Sequence, residues 1–202
     1  MTRVCHLLGQ SRGADSEVAR CWEPAARASR SIGWDEFRHD VASLHARLVQ
    51  GQVGAWVLLT EDAYAFAVGL FALWHAGCHA ILPPNRQPRS LALLQARAAG
   101  ILSDRPEWFS RGSPLHPLQD GEQAAGSQLA PLSPDALSVE LFTSGTTGDE
   151  KPIAKRIAHL EEEVLQLEAC WGERVSDSTF FSTASHQHLY GLLFAVLWPL
   201  CS

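Results

Sequence analysis

VGAWVLLTEDAYAFAVGLFALWHAGCHAILP, residues 53–83, reads as a short apolar run, a long one and a short one. Val53–Thr60 has the length of a buried strand. Asp62 is an N-cap residue, and Ala63 to about Ala76 is apolar on all sides, as in a helix covered on every face. Gly77 stops that helix. His79–Leu82 is a second strand, ended by Pro83 and Pro84. Strand, helix, strand predicts two parallel strands joined by a crossover helix.

The pattern continues outward. Pro88–Ala99 predicts a helix with Pro near its start and Gly100 past its end, and Ile101–Ser103 a third strand. Upstream, Phe37, Val41, Leu44 and Leu48 form one apolar stripe of a helix that Gly51 ends, with Asp35 and Glu36 in its first turn. Residues 1–33 show no period and read as an irregular lead-in to a first α/β segment, 34–104. Prolines 106, 114, 117, 131 and 134 make 105–136 a connection. In 137–202, Leu137–Phe142 reads as a strand, Ile157 to Trp171 as a helix, Thr179–Thr183 as a strand, and the stretch from Leu189 as helical. The expected class is α/β, a partial doubly wound sheet of mostly parallel strands with flanking helices.

Composition narrows the function. At 202 residues, 46% hydrophobic and 19% charged, the chain excludes disorder. A net charge of -6 weighs against a nucleic-acid binder. Five cysteines with no C-x-x-C spacing predict reduced thiols in a cytoplasmic protein. Ala63–Trp74 and Leu189–Leu200 both fall short of the roughly 20 apolar residues of a membrane span. His75 and His79 stand four apart, but Gly77 between them predicts a helix end, so no metal site is expected. Glu161, Glu162 and Glu163 read as a solvated helix face, and the seven tryptophans as packing residues.

Chemistry concentrates in Phe142–Lys151, FTSGTTGDEK. Gly145 and Gly148 let the backbone approach a ligand. Successive N–H groups in such a turn form an anion-binding concavity. Thr143, Ser144, Thr146 and Thr147 add hydroxyl donors, and Lys151 adds a point charge suited to phosphate. The segment lies between an expected strand and an expected helix. It is not a Walker loop, since the chain has no Gly-Lys pair, and it has no G-x-G-x-x-G. A P-loop phosphotransferase is disfavoured on those grounds.

Thr143-Ser144-Gly145-Thr146-Thr147-Gly148-x-x-Lys151 resembles the phosphate-loop signature of the adenylate-forming (AMP-binding) superfamily: acyl-CoA synthetases, adenylation domains of peptide synthetases, and luciferases. Glu150 and Pro152 depart from that family's proline and glycine. Lys151-Pro-Ile-Ala-Lys155 resembles a bacterial subgroup associated with acyl-carrier-protein chemistry. Ser185-His-Gln-His188-Leu-Tyr-Gly191 is similar to the family's P-x-x-H-x-x-G segment, which lines the acyl pocket, with Ser185 in place of proline. Trp34–Phe37, the VGAWVLLT strand and ALWHAGCHAILPPN (72–85) resemble the family's opening subdomain.

The resemblance implies the N-terminal portion of the adenylate-forming ligase fold. It implies ATP and Mg²⁺ as cofactors of the complete enzyme, with a carboxylic acid and CoA or an acyl carrier protein as partners. It implies phosphate contacts for Thr143, Ser144, Gly145, Thr146, Thr147, Gly148 and Lys151, and an acyl-pocket role for His188 and Gly191. The family's Mg²⁺-binding glutamate, ribose-binding aspartate and adenylation lysine fall after the His188 segment. The expectation is therefore an N-terminal fragment with no complete catalytic set, inactive alone. The alternative is a non-catalytic nucleotide- or partner-binding module. Leu189–Leu200, without a charge, predicts an uncovered apolar patch and self-association.

Overall fold

The computed structural model describes residues 1–10, 12–13, 16–23, 28–110, 112–118, 129–143, 151–175 and 178–202. Its centre is a five-stranded sheet, and its elements follow from the apolar pattern. β3 (Ala55–Leu58), β4 (His79–Ile81), β5 (Gly100–Leu102) and β6 (Leu137–Thr143) are parallel, and β7 (Lys151–Arg156) runs antiparallel at the edge, in the order β5-β3-β4-β6-β7. Strand residues alternate between two packed faces, as in a sheet covered on both sides. Trp56 and Leu58 face a core shared with α1 (Trp34–Leu48), α2 (Ala63–His75) and α4 (Ile157–Val175). Val57, Leu59 and Ile81 face a smaller core with Leu91 and Leu94 of α3 (Pro88–Gln95).

The α1 stripe is buried as its spacing predicts, with Trp34, Phe37, Val41, Leu44 and Leu48 all facing inward. Phe37 meets Phe71 of α2 edge-on, ring centres 5.8 Å apart. The Tyr64 hydroxyl donates to Asp40 across the same interface at 2.6 Å. Asp62 caps α2, its carboxylate accepting from the Ala65 amide at 2.7 Å, and Tyr64 to Trp74 are buried on every side. At the other end Gly77 takes φ +71°, a left-handed conformation that costs other residues more. Its N–H bonds the Trp74 carbonyl and the Cys78 N–H bonds that of Leu73, the Schellman pattern of helix ends.

Four expectations change. Residues 1–33 contain a 3-10 helix (Val4–Gly9) and an antiparallel hairpin of β1 (Glu17–Glu23) and β2 (Ala28–Gly33). Ala28–Ser31 are all exposed, so no alternation of polarity marks the strand. Thr179–Thr183 forms no strand; its backbone pairs with none of the described strands. The glutamate run is not uniformly solvated. Glu161 is buried and accepts the Cys5 N–H at 3.2 Å, fastening the 3-10 helix to α4. The C-terminal run is α5 (Leu189–Gly191), a π-helical segment (Leu192–Leu197) and α6 (Trp198–Cys201). It is mostly covered: Leu192, Leu193, Val196, Leu197, Trp198 and Leu200 are buried within this chain. The Trp198 indole donates to Glu168 of α4 at 2.7 Å. Tyr190, stacked on Phe194 at 4.3 Å, is its large exposed side chain, at 64%. No helix among the described residues is long and apolar enough to cross a membrane.

Candidate functional site

Parallel α/β sheets bind ligands beyond the carboxyl ends of their strands, where loops diverge. Here that end gathers the residues after β3 (Thr60, Glu61, Asp62), after β5 (Ser103, Asp104, Arg105), and Thr143 at the end of β6. Asp104 organises it. Its carboxylate accepts the amides of Glu61 and Asp62 at 2.9–3.1 Å, tying the β5 exit to the start of α2. Arg105 pairs with Glu61.

The turn at 185–188 closes over this end. The Gln187 side-chain amide donates to the Thr60 carbonyl at 3.2 Å, and His186 Nε2 lies 3.2 Å from the same oxygen. A carbonyl only accepts, so His186 carries its proton on Nε2. The imidazole packs on Phe66, centres 4.8 Å apart. Burial holds His186 below the ordinary histidine range, although the Thr60 bond and the charges of Asp62 and Asp104 pull it back. Gln187 Oε1 is buried without a hydrogen-bond partner among the described residues.

Gly191 belongs to this turn for a steric reason. A Cβ there would lie 2.1 Å from the Ser185 carbonyl oxygen and 2.9 Å from the His186 amide. Only glycine lets α5 approach its own lead-in that closely. His188 is exposed and stands at the N-terminal cap of α5. Its neighbours His186 and Gln187 hold the turn through the Thr60 carbonyl, while Asp104 fixes the chain just after Thr60. Sequence reasoning passed over Thr60 and Asp104, although both directly follow short apolar strands.

The phosphate-loop expectation is only partly visible. Thr143 ends β6 and Lys151 begins β7, and the two are paired across the ladder. Ser144, Gly145, Thr146, Thr147 and Gly148 lie outside the described residues. β6 and β7 are thus antiparallel neighbours, and β7 runs on directly into α4. The expectation of a strand-to-helix loop is corrected: KPIAKR forms a strand because β6 offers it a backbone partner, despite its charges and proline. Lys151 is exposed and makes no ion pair with a described residue. Among the described residues no group of three or more His, Cys, Asp or Glu is placed to hold a metal ion. Asp62 and Asp104 are both engaged by backbone amides, so the described residues do not fit Mg²⁺.

No protein-family model matches the chain, and no curated protein is similar to it in sequence. Solved structures are similar to it in fold. The fatty acyl-adenylate ligase from L. pneumophila, in complex with acyl adenylate and pyrophosphate, superposes with a TM-score of 0.76 over 98% of this chain and 38% of that one, at 15% identity. The fold is that of the N-terminal part of adenylate-forming enzymes. The acyl-CoA synthetase of Brucella canis gives 0.74 over 98% of this chain and 41% of its own, at 15% identity. The N-terminal subdomain of Klebsiella oxytoca NpsA gives 0.63 over 82% and 45%, at 20% identity. The chain thus spans less than half of each of these adenylate-forming structures. Its mixed five-stranded sheet with helices on both faces is the part it shares with them.

Proposed function

We propose that this chain supplies the nucleotide-phosphate loop and part of the acyl pocket for ATP-dependent activation of a carboxylic acid. In that reaction a carboxylate oxygen bonds the α-phosphorus of ATP and pyrophosphate leaves; a thiol of CoA or a carrier protein then bonds the acyl carbon of the adenylate, and AMP leaves. One observation supports the reading: Thr143 and Lys151, the two ends of T-S-G-T-T-G-x-x-K, are paired at the carboxyl end of a sheet with the adenylate-forming fold. Thr143, Ser144, Thr146 and Thr147 would donate to phosphate oxygens, Gly145 and Gly148 would let the backbone come close, and Lys151 would balance charge with an ammonium that no described carboxylate engages. His188 and Gly191 would stand at the acyl side, with His186 and Gln187 fixing the turn that carries them. A cytoplasmic setting suits the five free thiols.

The test is calorimetric titration of the chain with ATP in the presence of Mg²⁺. A charge-assisted phosphate contact contributes about 1.5–3 kcal/mol, so Lys151→Ala should weaken binding about tenfold or more. Affinity unchanged within about twofold would remove Lys151 from the phosphate site.

A further inference from the structure

The opposite end of the sheet holds a cavity of about 600 Å³, within the size range of small-molecule sites. It opens where α2 turns into β4, near the start of α4. Length of strand separates it from the β6–β7 hairpin, roughly 20 Å at about 3.3 Å per residue. It is therefore distinct from the site described above.

The lining defines what can enter. Trp74, Leu132 and Ile157 supply apolar wall, and His45, His75 and His79 supply imidazoles. Among the described residues no Asp, Glu, Lys or Arg lines it. A charged ligand would lose its hydration there without gaining a counter-charge, which is costly. The imidazoles stay neutral. Burial depresses all three, His75 to about 4. His45 bonds the backbone of His75, and His75 bonds that of Ala130. A backbone carbonyl takes the imidazole N–H of His45 and of His75, so these two rings each keep one unprotonated nitrogen as an acceptor. Acceptors set among apolar walls match a ligand with its own donor. The Schellman turn at Gly77 creates this arrangement by reversing the chain between His75 and His79. These groups do not converge as metal ligands.

We propose that this cavity is a second ligand site, for an uncharged ring compound that carries a hydroxyl or N–H donor. The probe is 2-naphthol, whose fluorescence reports its surroundings, titrated into the 202-residue chain without ATP. The expected result is saturable binding, with naphthalene at least tenfold weaker for want of a donor, and 2-naphthalenesulfonate unable to displace the naphthol. Ala136→Trp fills the cavity from an exposed lining position and should lower naphthol affinity at least tenfold with thermal unfolding unchanged. Ser133→Phe, also at an exposed lining position, serves if that variant does not fold. Lys151→Ala should leave naphthol binding intact. The proposal is overturned if binding does not saturate, if naphthalene binds as tightly as naphthol, or if the cavity-filling variant binds like the parent.

Discussion

The two ends of the sheet are built from the same strands and differ in chemistry. The carboxyl end is charged and hydrogen-bonded: Asp104 holds two backbone amides, Arg105 pairs with Glu61, and Lys151 is exposed. The amino end has neutral imidazoles set among apolar walls. The difference follows from where the chain reverses. After β3 and β5 it leaves the core through short polar segments that water can reach. After α2 it turns at the exposed Gly77, and the side chains on either side of that turn, Trp74, His75, Cys78 and His79, are buried or half-buried, where a charge would lose hydration.

Breaking the carboxyl end should cost most. Gly191→Ala drives a methyl into the Ser185 carbonyl, a backbone atom that cannot rotate away. We expect a loss of about 3 kcal/mol or more, near the upper end for overpacking, read from urea midpoints. Faster amide exchange at Gln187 should accompany it, because the turn at 185–188 would lift from Thr60.

The amino end should respond to pH. His75 has a folded pKa of about 4 against 6.5 for the free side chain, through burial first and the nearby His45 second. Below pH 6.5 the unfolded chain takes up a proton that the folded chain refuses until about pH 4. Stability should therefore fall as pH drops through that window, by roughly 2 kcal/mol from this group. His45, His79 and His186 are shifted in the same direction and add to it. His75→Gln should flatten the curve of unfolding free energy between pH 6.5 and 4; an unchanged slope would show that His75 is charged in the folded state.

Smaller effects sharpen the contrast. Asp62→Ala removes the α2 cap and should cost about 1 kcal/mol at any pH above the carboxylate range, measured by thermal melting. Lys151→Ala should change stability by less than about 0.5 kcal/mol, as for other exposed unpaired side chains, while weakening ATP. A large stability loss there would mean that Lys151 is structural.

Legibility differs along the chain for a physical reason. α1, α2 and the strands at 55–58, 79–81 and 100–102 bury side chains at fixed spacing, so their pattern is written in polarity. α3 ends at Gln95, short of the expected Ala99, because Arg97 leaves the helix and pairs with Glu140 of β6. β1, β2 and β7 are held by backbone pairing and expose most of their described side chains, so their residues need not alternate. At the carboxyl end, the glycine-hydroxyl-lysine composition marks 143–151, whereas the bonds of Gln187 to Thr60 and of Asp104 to Glu61 and Asp62 join elements distant in sequence.

Sequence alone therefore determined the α/β order, the buried character of α2, the cap at Asp62 and the stop at Gly77. Each depends on neighbours within a turn or two, and local sterics, capping and apolar period are encoded residue by residue. Tertiary structure decided that β7 pairs antiparallel with β6, that Glu161 is buried, that most of Leu189–Leu200 is covered by this chain, and that three histidines line one cavity. Those outcomes depend on which surfaces meet across long separations in sequence. Cys5 meets Glu161, and Trp198 meets Glu168; burial and hydrogen-bond satisfaction at such contacts are properties of the pair, and neither partner's local sequence contains them.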